Sequence, residues 1–324
     1  MNQKRKSDNN NTQVIQNMEF ALSLLRDGRI SDAYDLFITI LNEDYSNLIA
    51  ETGLKICKYW ANRLSTIENN TPYNKGKMLY EEWKRFEKHL EAQKNISMKV
   101  INAIMFFVFN TALQYLKKDI QDNRIVDIPV LFLTGMSYKK IGDFSNAIIY
   151  FERVIKNDRN NSNAYANLAD CYALIDEDKK AKVLFREAFF IDPFSIDIES
   201  LDSNMIHALI HQITEFKIPK DELNFWIPVY GRVLNIFNIK RDLLAVEVGK
   251  IRQEIFQLEQ ELYKSVSDDE ITIARLINYY LWLYDYYYIK KPEDEILIEL
   301  EEKIKNLSIK VYTNLKNNMI QEIK

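Results

Sequence analysis

His207 and His211 stand at i and i+4, a spacing that sets two imidazoles on one helical face as metal ligands. Ala208 follows the first His where zincins carry the catalytic Glu, and the only other His is His89. The pair therefore reads as structural or solvent-facing. Cys57 and Cys171 are far apart, lack CxxC spacing and have no partner His at a recognisable distance. Both fall on apolar-periodic segments, as small buried hydrophobes do. Asp268-Asp269 and Glu301-Glu302 read as helix-start and surface charge rather than an acid–base pair. No GxGxxG, GKS/GKT or nucleophile elbow occurs. The expectation is a chain with no catalytic centre, no metal and no cofactor.

What remains is contact chemistry. Tyr279, Tyr280, Trp282, Tyr284, Tyr286, Tyr287 and Tyr288 fall within ten residues. That exceeds what one buried stripe uses, so two readings stand side by side. Either these rings fill a core, or Tyr280, Trp282, Tyr284 and Tyr287 form an interface, where Tyr keeps its hydroxyl wet.

The elements that must carry these residues are helices. The 324 residues include 7 Gly and 6 Pro, about 2% each against a usual ~7% and ~5%. Turn-rich β folds and phosphate-cradling loops need more. Hydrophobics at 47% and charges at 28% supply a core. The composition is all-α. A net charge of −4, with basic and acidic residues interleaved, argues against a nucleic-acid partner.

One internal period organises the chain. Residues 128–161 align without a gap over residues 162–195, at an offset of 34. Leu131 falls over Tyr165, Gly135 over Ala169, Tyr138 over Tyr172, Ala147 over Ala181 and Phe151 over Phe185. Large residues at positions 4, 7 and 11 form one stripe, and small residues at 8 and 20 let two helices approach. Gly142 marks the turn and Asp158 and Asp192 the second helix's end. A third copy at 14–47 places Phe20, Ala21 and Leu24 in the first helix, Gly28 at the turn, and Ala33, Phe37 and Ile40 in the second. The pattern resembles the tetratricopeptide repeat (TPR) family over about a third of the chain. Departures are Asn17, Thr134, Arg159 and Asp176, none of which stops a hairpin.

The expected architecture is a TPR-type α-solenoid of helix hairpins followed by a bundle-like helical C-terminal region. A polar, disordered tail covers 1–13, a hairpin 14–47, and divergent helices 48–127 with a loop at 66–76. Two repeats cover 128–195, capping helices 196–240, and heptad-like helices 241–324. Leu244, Val248, Ile251, Ile255, Leu258 and Leu262 form one 4-3-4-3-4 seam; Leu297, Leu300, Ile304, Leu307 and Val311 form another. Lys4, Arg5 and Lys6 precede no apolar run, and Val100 to Phe109 is too short to span a bilayer, so a cytoplasmic chain without membrane insertion is expected.

The TPR resemblance implies an inner surface lined by first-helix residues. Here these are Phe132, Met136, Lys139, Asn163, Asp170 and Ala173, with Met18 and Leu22 from the first copy. Phe132 and Met136 stand where a chaperone-tail carboxylate clamp needs Lys and Asn, which puts that function in doubt. An apolar groove suits an amphipathic or extended segment of another protein. The alternative is that the chain's own helices fill it. The resemblance thus points to a non-enzymatic scaffold or adaptor, with self-association through the C-terminal helices. Two rivals are a structural component of a bacterial secretion, envelope or flagellar machine, and a peptide-sensing regulator.

Overall fold

The computed structural model describes residues 2–123, 127–264 and 269–322, with side chains from residue 13 to 317. Among the described residues there are 15 α-helices, one short 3-10 turn and no strand. The chain divides into two compact units, residues 1–150 and 151–324, and the division falls within a helix.

The first unit comprises α1 (Asn2–Arg26), α2 (Ile30–Glu43), α3 (Leu48–Ile67), α4 (Pro72–Glu91), α5 (Met98–Asp122), α6 (Ile128–Lys140) and the start of α7 (Phe144–Asn157). α1 packs on α2 and α5, α2 on α3, and α4 on α5, while α6 lies against α4 and α5. Its core joins the apolar stripe of the first repeat copy (Ala21, Leu24, Ala33, Phe37 and Ile40) to Trp60, Trp83, Phe86 and Phe109. Trp83 meets Phe86 and Phe109 edge-on at 5.2 and 5.4 Å.

The second unit continues with α8 (Ser162–Leu174), α9 (Asp178–Ile191), a 3-10 turn (Ile198–Ser200), α10 (Asn204–Thr214), α11 (Leu223–Val233), α12 (Ala245–Lys264), α13 (Glu270–Lys290), α14 (Ile296–Leu307) and α15 (Ile309–Glu322). α13 packs against α11, α12 and α14. Enclosed in this way it is apolar nearly all round, which is how a helix without a solvent face reads.

The repeat turns share one geometry. Gly28, Gly142 and Asp176 all adopt positive φ, at 75°, 81° and 61°. Each donates its N–H to the carbonyl three residues back, and the next residue donates to the carbonyl five back: Arg29 to Leu24, Asp143 to Tyr138 and Glu177 to Tyr172, at 2.9 to 3.0 Å. This left-handed cap satisfies carbonyls that a helix end leaves unpaired.

The exits are shared too. Asp44, Asp158 and Asp192 each accept, through the carboxylate, the N–H two residues on, at 3.0 to 3.1 Å. Asn47 and Asn161 then cap α3 and α8 by accepting the N–H of Ala50 and Ala164.

Several boundaries differ from the sequence reading. α1 already begins at Asn2, inside the segment expected to be a tail, because no Gly or Pro interrupts residues 2–26. The loop expected at 66–76 is shorter. Thr71 caps α4 by accepting Asn74 N–H, Pro72 occupies the first turn, and Gly76 lies buried inside the helix. A Cβ on Gly76 would stand 2.6 Å from Leu116, so packing rather than turning requires the glycine. The second heptad seam is divided. α14 ends at Leu307, Ser308 is extended, and Val311 belongs to α15, whose N-terminus accepts help from the Ser308 hydroxyl. α5 is, by length and composition, apolar enough to cross a membrane, although half of that window is buried against its neighbours.

Candidate protein-interaction surfaces

The inner-face residues divide into two sets. Met136, Lys139 and Asp170 are buried, so the expectation that they line an open groove is corrected. Asp170 shows why. Its two carboxylate oxygens accept the backbone N–H of Asp202 and Ser203 at 2.7 and 2.9 Å, capping α10 from within the chain. Asn163, half-buried, accepts the N–H of Asp197 at 3.2 Å and so holds the same returning segment. The second-repeat face is covered by residues 197–203.

Phe132, Ala173, Met18 and Leu22 are half-buried. Ala173 borders an open hollow with Asp176, Asp202 and Met205, whereas Met18 and Leu22 pack against the core of the first unit.

The aromatic run resolves mostly as core. Tyr280, Trp282 and Tyr284 are buried, which corrects their reading as an interface. Tyr280 donates to Glu259 at 2.6 Å, and Glu259 also holds Lys303; Tyr284 donates to Glu301 at 3.0 Å, and Glu301 holds Lys316. Burial and these carboxylates push both phenols well above the usual range. Tyr287 is half-buried, with its hydroxyl against the Arg252 guanidinium.

Beneath the run lies a buried ion cluster that sequence reasoning missed. Arg232 donates to both oxygens of Asp285 at 2.7 to 3.0 Å, and Arg186 donates to Asp285 at 2.8 Å and to the Ile239 carbonyl at 3.0 Å. The Arg186 guanidinium stacks 4.2 Å above Trp282. Burial opposes the Asp285 charge, but the two guanidiniums outweigh it and hold the carboxyl below its ordinary value. Charged residues amid an apolar run were the available signal; their partners, 53 and 99 residues away, were not.

Of the chemistry candidates, His207 is exposed and pairs with the Leu201 carbonyl at 2.8 Å, and His211 is exposed. Both cysteines are buried and neither is in a disulfide, and burial pushes the Cys57 thiol up to about 12. Asp268 lies outside the described residues. Asp269 caps α13 by accepting Ile271 N–H, and Glu302 is exposed.

The first unit carries an open cleft of about 460 Å³ between the end of α1, the first half of α5 and the turn after α6. Met105, Phe106 and Ile141 line it, with Arg26 and Lys140 at its edges. Phe106 is 44% exposed, and Lys140 pairs with Glu87 at 3.6 Å.

With the triplicate turns and exits in place, the family comparison is decisive for residues 128–161, which match the tetratricopeptide repeat model. The match covers one repeat period of the chain. The matched segment is α6, its Gly142 turn and α7, and the Asp176 turn repeats it one period later. A search of curated proteins gives no match. Among solved structures, the chain is similar to a monomeric mutant of IFIT1 with Gppp-AAAA, at 15% identity over 86% of this chain and 68% of that one. The TM-score is 0.27, too slight a likeness to bear on fold or ligand.

Proposed function

We propose that this TPR chain is a non-catalytic scaffold that holds a segment of another protein. The observation that carries the reading is the cleft of the first unit, where Phe106 and Met105 stay accessible although the chain has covered Met136, Lys139 and Asp170. Large apolar side chains left open beside cations suit a partner segment that is apolar with acidic flanks. The test is cross-linked capture by the full chain, followed by binding of the purified partner segment. Phe106→Asp places a charge on an exposed site, so helical circular dichroism should stay unchanged while affinity falls by about ten-fold or more. Undiminished binding would overturn the cleft.

A second reading, self-association, has its own observation. α12 buries Val248, Ile251, Ile255 and Leu258, yet Val246, Phe256 and Tyr263 stand exposed on another face, with open space over Gly249 between them. With Gly249 their spacing is 3-7-7, which keeps them on one side of the helix as a second stripe. Along the helix Lys250 and Arg252 precede Glu254 and Glu261. An antiparallel second copy would set opposite charges together.

A further inference from the structure

α12 carries a glycine that nothing in its own chain requires. Gly53, Gly76 and Gly231 also lie inside helices, and at each a Cβ would stand 2.3 to 2.6 Å from a neighbouring side chain. Gly249 meets nothing within 4 Å and has no positive φ, so neither packing within the chain nor a turn accounts for it. Glycine weakens a helix interior relative to alanine, because it loses more backbone freedom on folding. Here it leaves a notch on the exposed side of α12.

A knob to match stands two turns away on the same helix. Phe256 is 63% exposed. Seven residues bring it back to within about 20° of Gly249 around the helix and about 10 Å along it. Val246 and Tyr263 extend that line in both directions, and Leu244 stands exposed just before the helix begins. One helix thus presents both halves of a contact that it cannot make with itself.

We infer that α12 pairs antiparallel with α12 of a second copy, about a two-fold axis between residues 252 and 253, each Phe256 ring entering the other copy's Gly249 notch. This rests on the self-association reading and fixes its register. A two-fold contact is reciprocal, so one knob and one notch per chain satisfy each other twice. In this register Gln260 falls opposite Ala245, and Tyr263 lies within a turn of Leu244. Lys250 lies within a turn of Glu254 on the same flank, which brings opposite charges together. Arg252, beside the axis, donates to the Tyr287 hydroxyl of its own chain and leaves Gln253 to face its counterpart. A parallel pair would instead set Phe256 on Phe256 and Lys250 on Lys250, with the notch empty.

The test measures self-association of the full chain by sedimentation equilibrium. Gly249→Ala is the informative variant. It should raise stability to urea, since alanine suits a helix better and its methyl meets nothing in the chain. It should nevertheless weaken pairing by about ten-fold or more, since that methyl occupies the notch. Introduced cysteines read the register, and Cys57 and Cys171 are buried and do not compete. Gln253→Cys should form an interchain disulfide on mild oxidation, because its two copies meet at the axis. Gln260→Cys should not, because its copies stand about 22 Å apart along the helices. Equal cross-linking at both positions, or undiminished pairing by Gly249→Ala, would overturn the register while leaving a dimer. A monomer at every concentration would overturn the register and the self-association reading together.

Discussion

Asp176 occupies, at φ 61°, the turn position that Gly28 and Gly142 fill in the other two repeat copies. A left-handed backbone costs a residue with a Cβ about 1 kcal/mol, less for Asp than for most. Asp176→Gly is therefore expected to stabilise the chain by up to about 1 kcal/mol, and Gly142→Ala to destabilise it by about the same. At Gly142 the cost is conformational alone, since a Cβ there would meet nothing within 4 Å. Urea denaturation of both variants measures the difference. The turns were legible because each rests on hydrogen bonds reaching at most five residues back.

At the scale of elements, α9, α11 and α13 are joined by Arg186, Arg232 and Asp285, with Asp285 2% exposed. Removing the carboxylate would leave two guanidiniums buried without a counter-charge. Asp285→Asn is expected to cost about 3–5 kcal/mol, read from chemical denaturation at pH 7. Replacing all three with apolar residues of like volume should restore most of that loss, because the desolvation of three charges disappears with them. The pH dependence has a definite sign. Asp285 titrates lower in the folded chain than in the unfolded one, so its contribution is complete above its ordinary value of about 3.9. It is lost as pH falls through the depressed folded value. Acid denaturation should thus begin below about pH 4 and be less steep in the apolar triple variant. The sequence placed these three residues on helices, but not against one another.

For the whole molecule, the open surfaces set the expected behaviour. If the outer stripe of α12 pairs with a second copy, light scattering should give twice the chain's 38.4 kDa. Phe256→Glu should return the mass to that of one chain without loss of helicity, because Phe256 is exposed. A monomer at all concentrations would remove the self-association reading.

The all-α class, the 34-residue period, the turn positions and the Asp exits follow from the sequence alone, because local sterics and short-range hydrogen bonds decide them. The site did not follow in the same way. A helix stripe shows that a face must be covered, and says nothing of what covers it. Asp170 looked like a groove residue until Asp202 and Ser203 folded back to donate their N–H groups to it. Tyr280 and Tyr284 looked like an interface until α12 and α14 brought Glu259 and Glu301 to their hydroxyls. The cleft at Phe106 is the converse case, where α1 and the turn after α6 border the face of α5 but leave the ring 44% exposed. Which faces close and which stay open depends on contacts tens of residues apart, and the tertiary structure alone decides those.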